Sequence, residues 1–195
     1  NGCFASISHQ FYSGILHLKN NIIMILSEEI VNYKCHADAL NEKNNDPYKD
    51  SPFRVYKEMS SKKKGKYFEL IVEQYLKKNN YTVSKSVNSD HDRVVNGKKL
   101  EIKGSMLWGE GTHFRWQQIR TSQDYDVMCF VAIYPDRIEL YGATKDVVKS
   151  NVEIQNEKGE WVHNQHGGKR TNSGTFVIDG MPQDFQWFQY LEEIL

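Results

Sequence analysis

The chain has 195 residues, enough for one domain with its own buried core and a small appendage. Its 25 Lys and Arg balance 25 Asp and Glu, so net charge by itself excludes any whole-molecule attraction to an acidic polymer, and such attraction has to come from local clustering. Three widely spaced cysteines, Cys3, Cys35 and Cys129, argue against a disulfide framework or a zinc site and for a reducing, cytoplasmic setting.

The first residue is Asn rather than Met, as expected of a chain that begins inside a longer product or after a tag. No signal peptide is evident, and residues 15–26 are broken by His17, Lys19, Asn20 and Asn21, too polar and short for a membrane span. Residues 1–50 read as a helical arm. One segment runs near Phe11 to Leu26, and another is opened by Ser27 with Glu28 and Glu29 in its first turn. The Cys35-His36 pair lacks the further ligands that a metal site needs. A polar, turn-rich linker follows at 41–50. Ser51-Pro52 then opens a short helix to about Ser60, at the start of a second unit over 51–195. The arm is expected to pack on that unit or to dimerise.

From Arg54 to Lys103 the chain carries thirteen Lys or Arg against six Asp or Glu, so this half of the second unit is locally cationic. Residues 62–78 place Phe68, Ile71, Val72, Tyr75 and Leu76 at helical spacing, and Asn79-Asn80 ends the pattern. Tyr81 to Val87 alternates as a strand does. Asn96-Gly97 is then a strong signal for a two-residue type I′ hairpin, since both central positions need positive φ. Counting outward from that turn sets Arg93 against Leu100, Asp92 against Glu101 and Asp90 against Lys103. The acids and Lys103 then project from one side of the ribbon and Leu100 and Ile102 from the other. Directly opposed side chains have Cβ atoms roughly 4.5–5.5 Å apart, so Asp92 and Glu101 would repel unless a cation joined them. Mg²⁺ is such a cation, held by one or two carboxylates with substrate oxygens and water, and Mn²⁺ can substitute.

An acid, a variable gap and then Glu101-Ile102-Lys103 across a hairpin resembles the restriction-endonuclease-like PD-(D/E)xK nuclease superfamily. His91 stands where the pattern has proline, which leaves Asp90 as a rival for the first acid. The resemblance implies an α/β fold with a restriction-endonuclease-like core, a central mixed sheet flanked by helices. It also implies metal held by Asp92, Glu101 and the main-chain carbonyl of Ile102, with Lys103 orienting and helping to deprotonate the attacking water. Nucleases of this kind often draw a further acid from the first helix. Glu69 is placed for that role, and its alternative is a solvated acid paired one turn away. The products would carry 5′-phosphates.

Downstream, 112-THFRWQQIRTS-122 reads as a short helix, with Arg115, Gln117, Gln118 and Arg120 as candidates for DNA contact because Arg and Gln grip guanine and adenine bidentately. Residues 125–135 form a nearly continuous apolar run, as in a strand buried on both faces. Pro135-Asp136 turns the chain into an alternating strand over 137–143. Residues 144–150 follow as a helix, and then comes a hairpin-like stretch turned at Lys158-Gly159. Residues 163–176 form a Gly-rich loop in which Lys169 and Arg170 suit phosphate or guanine. The expected function is a Mg²⁺-dependent type II site-specific deoxyribonuclease acting on double-stranded DNA as a homodimer, because the chain is short and has no ATPase or helicase motif. The alternatives are a repair or structure-specific nuclease of the same fold, or a non-catalytic DNA-binding module.

Overall fold

The computed structural model describes residues 46–108, 111–166 and 174–195. The helical arm before residue 46, and Lys169 and Arg170, lie outside the described residues. Tyr48, in the stretch that reads as a linker, is buried, and its hydroxyl bridges the Ile133 carbonyl and the Leu107 N–H. Ser51 Oγ accepts the Phe53 N–H at 3.0 Å, and a one-turn helix α1 follows over Arg54–Lys57.

Helix α2 spans Ser61–Lys78 and buries Phe68, Ile71, Val72, Tyr75 and Leu76, the five positions that the 3.6-residue period selects. Asn80 ends it with φ of 66°, a left-handed conformation that Asn tolerates better than most residues. Strands β1 (Val83–Lys85), β2 (Arg93–Val95) and β3 (Lys98–Met106) then form an antiparallel meander. Asn96 and Gly97 have φ of 48° and 88°, the two positive values a type I′ turn requires, and the pairing Arg93↔Leu100 and Val95↔Lys98 is the register counted from that turn. Asn96 also ties the turn to β1, its Oδ1 accepting the Thr82 N–H at 3.0 Å.

Residues 114–119 form strand β4 (Phe114–Ile119) and not the helix expected over 112–122. Phe114 and Trp116 are two apart and both fully buried, which is strand period, and Ile119 regains the buried face through an irregularity after Trp116. Their spacing mimics a helical stripe only because one extra residue is inserted. Strand β5 (Val127–Ile133) is buried at all seven positions, and β6 (Ile138–Thr144) pairs with it through the Pro135-Asp136 turn. Helix α3 (Lys145–Val152), strand β7 (Phe176–Gly180) and the two-residue strand β8 (Gln189–Tyr190) follow, with single 3-10 turns at Pro182–Asp184 and Leu191–Glu193. The expected turn at Lys158-Gly159 is present: Gly159 has φ of 74°, and the Asn156 N–H donates to the Glu160 carbonyl at 2.9 Å.

The main sheet has six strands in the order β1-β2-β3-β5-β6-β8, with β3 and β5 parallel and every other pairing antiparallel, so it is mixed. β4 and β7 make a separate two-stranded sheet. The chain between β3 and β5 therefore runs through β4, and among the described residues it contains no helix there. One core lies under α2, where Leu100, Ile102, Cys129 and Val131 meet Phe68, Val72 and Leu76. The other lies on the opposite face, where Met128 and Phe130 meet Trp116, Ile178 and Val148. Each such fully buried side chain contributes about 1.5–3 kcal/mol by leaving water. Contact with α2 is close enough that a Cβ on Gly104 would lie 2.0 Å from the Phe68 ring. Among the described residues no helix is long and apolar enough to cross a membrane.

Candidate active site

β2 pairs only with Lys98–Leu100 of the longer β3, so from Glu101 onward that edge of β3 has no strand partner among the described residues, while β5 covers the other edge as far as Met106. Asp92 stands where the pairing stops. Its N–H donates to the Leu100 carbonyl at 2.9 Å, and its Oδ2 accepts the Ile102 N–H at 2.8 Å. A carboxylate thus takes the place of the next ladder residue. In an extended strand the N–H and C=O of one residue project to the same edge, so the Ile102 carbonyl faces this opening too.

Glu101 and Lys103 leave β3 on the face away from α2, since their neighbours Leu100 and Ile102 belong to the core under that helix. Glu101 is 5% exposed, and Lys103 Nζ lies 2.6 Å from its Oε1. Burial pushes the Glu101 carboxyl up to about 7. The adjacent Asp92 carboxylate, within hydrogen-bonding reach, pushes the same way, and Lys103 only partly opposes them. Asp92, and not Asp90, is the acid beside Glu101. The Asp90 N–H instead donates to Asn88 Oδ1 at 3.1 Å in the loop before β2.

Glu69 is on α2, across the sheet from Glu101. Its Oε2 pairs with Arg93 Nη1 at 2.9 Å, and Arg93 Nε also meets Glu73 Oε2 at 2.7 Å. Burial raises the Glu69 carboxyl above the usual range, the Asp92 charge adds to that, and Arg93 offsets part of it. Asp92 therefore lies between two acids, with Glu101 on one face of the sheet and Glu69, already held by a buried guanidinium, on the other.

Ile102 to Met106 of β3 line a cleft of about 950 Å³ together with Arg115, Gln117 and Gln118, so Lys103 borders it, whereas Asp92, Glu101 and Glu69 do not. Three of the four candidate DNA-contact residues of 112–122 thus share a cleft with the motif lysine, though from a strand and not from the expected helix. Arg120 is exposed but does not line the cleft. Arg115 also meets Asp179 of β7, with Nη1 at 3.3 Å from Oδ2.

The cleft adds residues that sequence reading had counted only as general charge or passed over. Lys64 lies one helical turn before Phe68, which packs on Gly104 beside Lys103, so the i, i+4 rule could have placed it there. Burial lowers its ammonium below the usual lysine range. Trp108, half-exposed, lines the same cleft, and no sequence signal marked it. Tyr125 is buried, and among the described residues its hydroxyl has no hydrogen-bond partner. Burial holds that hydroxyl above the usual tyrosine range, and the nearby Glu101 charge adds to the effect.

Among the described residues no group of three or more His, Cys, Asp and Glu converges as a metal cluster. The donor set that does converge is two adjacent carboxylates, Asp92 and Glu101, beside the edge that carries the Ile102 carbonyl. All are hard oxygens, which suits a Mg²⁺-like ion that draws its remaining ligands from water and substrate.

No family model matches the chain, and no curated protein matches it. Among solved structures the chain is similar to a bacterial homing endonuclease at 23% identity, with a TM-score of 0.37 over 45% of this chain and 67% of that one. An overlap of that extent assigns neither a fold family nor an activity.

Proposed function

We propose that this protein is a metal-dependent DNA endonuclease of the PD-(D/E)xK kind, and more narrowly a type II site-specific enzyme acting on double-stranded DNA as a homodimer. One observation carries the reading: Asp92, Glu101 and Lys103 converge where the edge of β3 opens, and of the three Lys103 also lines the cleft that Lys64 and Arg115 border.

Asp92 and Glu101 would hold Mg²⁺ with the Ile102 carbonyl. When bound, the ion would polarise a phosphodiester and lower the pKa of coordinated water. The chain's own groups do the rest. Asp92 is anchored by the Ile102 N–H, so its second oxygen is held in place. Lys103 rests on Glu101 and is the cation available to orient the attacking water or to meet charge growing on the phosphate. Lys64 and Arg115 supply cations along the cleft for the backbone.

Incubation of mixed-sequence plasmid with the full chain and Mg²⁺, followed by sequencing of the ends, tests the activity. Discrete fragments with 5′-phosphates support the type II reading, a smear supports a nonspecific nuclease, and intact plasmid refutes both. Lys103→Ala separates chemistry from binding. Affinity should stay within about tenfold, since one phosphate contact among several is lost. Single-turnover cleavage should fall by on the order of 10²–10³. Equal modest losses would make Lys103 an ordinary phosphate contact.

A further inference from the structure

The pairing of β4 with β7 is regular from Phe114↔Gly180 to Trp116↔Ile178 and resumes at Ile119↔Phe176. Three steps on β4 thus match two on β7, and the extra residue falls at Gln117-Gln118. In an unbroken strand Gln118 would turn inward and Ile119 outward. With the bulge Trp116 and Ile119 are both fully buried, and two consecutive glutamines face away from the core. Both line the cleft that holds Lys103 and Arg115.

The arrangement is held against its own backbone preference. Gln118 has φ of 58°, a left-handed value that a residue with a Cβ rarely adopts. Its N–H donates to Gln165 Oε1 at 2.6 Å, and the Gln165 N–H donates to the Thr175 carbonyl at 3.1 Å, so the bulge is fastened by a side chain from a distant loop. Among the described residues the side-chain amide of neither Gln117 nor Gln118 is taken by a protein partner.

We propose that the Gln117-Gln118 bulge is a base-reading element that selects adenine in duplex DNA, with Gln165 as the positioning residue that sets it. The proposal rests on the nuclease reading of the cleft and adds the sequence element it recognises. Neutral amides add no charge to the phosphate attraction that the cations of the cleft already supply, and where their N–H groups do meet phosphate oxygens they carry no sequence information. A carboxamide does offer one donor and one acceptor side by side, the pair that matches adenine N7 and N6. The bulge brings two such groups to one place, which a regular strand would not.

The test is selection of bound duplexes from a pool with a randomised core, using the full chain in Ca²⁺ to suppress cleavage. The wild type should select at least one A·T pair. Gln117→Ala and Gln118→Gly should each lower discrimination at an A·T position by about tenfold or more, the glycine being chosen because it keeps the positive φ while removing the amide. Gln165→Ala should weaken the same preference, and Gln165→Glu, which keeps the acceptor oxygen, should restore it. A merely structural Gln165 would not give that rescue at the level of base preference. If the glutamine variants select the wild-type site unchanged, the inference is wrong. Wild-type binding or cleavage without sequence preference refutes it and leaves the nuclease reading standing. A wild type that neither binds nor cuts DNA refutes both.

Discussion

Asp92 Oδ2 accepts the main-chain N–H of Ile102 at 2.8 Å, so a side chain fills the place on β3 that β2 vacates. The same carboxylate is thereby both a strand cap and a candidate metal ligand, and substitutions can separate the two roles. Asp92→Asn keeps an oxygen acceptor for Ile102 and should fold with nearly wild-type stability while losing cleavage. Asp92→Ala should lose cleavage and also about 0.5–1.5 kcal/mol, the net worth of that hydrogen bond at an edge that water can reach. Asp90→Ala should be milder in both respects. Urea unfolding alongside plasmid cleavage decides it, and a more damaging Asp90→Ala would reverse the assignment of the first acid.

The Glu101 carboxyl, pushed up to about 7 by burial and by Asp92, predicts a pH signature in EDTA. Between its unfolded value near 4.5 and about 7 the folded chain binds more protons than the unfolded chain. The stability linked to Glu101 is therefore fully present below pH 4.5 and is lost as pH rises through 7. Glu101→Gln mimics the protonated form, so its Tm relative to wild type should be more favourable at pH 8 than at pH 5. A difference in Tm that does not vary with pH would mean that Glu101 titrates normally.

Arg93 is 6% exposed and joins Glu69 to Glu73, which makes it the tie between β2 and α2. Arg93→Leu should cost about 1–3 kcal/mol, because the part-buried Glu69 loses its guanidinium while Glu73 keeps Lys77. Arg93→Lys should recover only part of that, since an ammonium lacks the planar fork that serves two carboxylates. Denaturant midpoints measure both, and a near-neutral Arg93→Leu would show the cluster to be dispensable.

Gly104 lies against the Phe68 ring, with 2.0 Å between a built Cβ and the ring. Gly104→Ala should destabilise by about 1–3 kcal/mol through overpacking. Adding Phe68→Leu should cost less than the sum of the two single changes, because the smaller side chain makes room for the methyl group. Strict additivity in a double-mutant cycle would contradict the contact.

Short-range chemistry in the sequence determined α2, the Asn96-Gly97 turn and the all-buried β5. A 3.6-residue period, two positive φ values and an unbroken apolar run each act within a few residues of chain. With the turn came the register that brings Asp92 beside Glu101. Tertiary structure decided β4. Phe114, Trp116 and Ile119 form a strand because β7, some sixty residues later, supplies its hydrogen bonds and because Gln165 holds the bulge that restores Ile119 to the core. It also decided that Glu69 spends its charge on Arg93, and that Lys103 shares a cleft with Lys64, Arg115 and the two glutamines. These outcomes depend on where β2 stops and on which elements pack on each face of the sheet. Contacts of that kind join residues far apart in the chain, and local propensity carries no record of them.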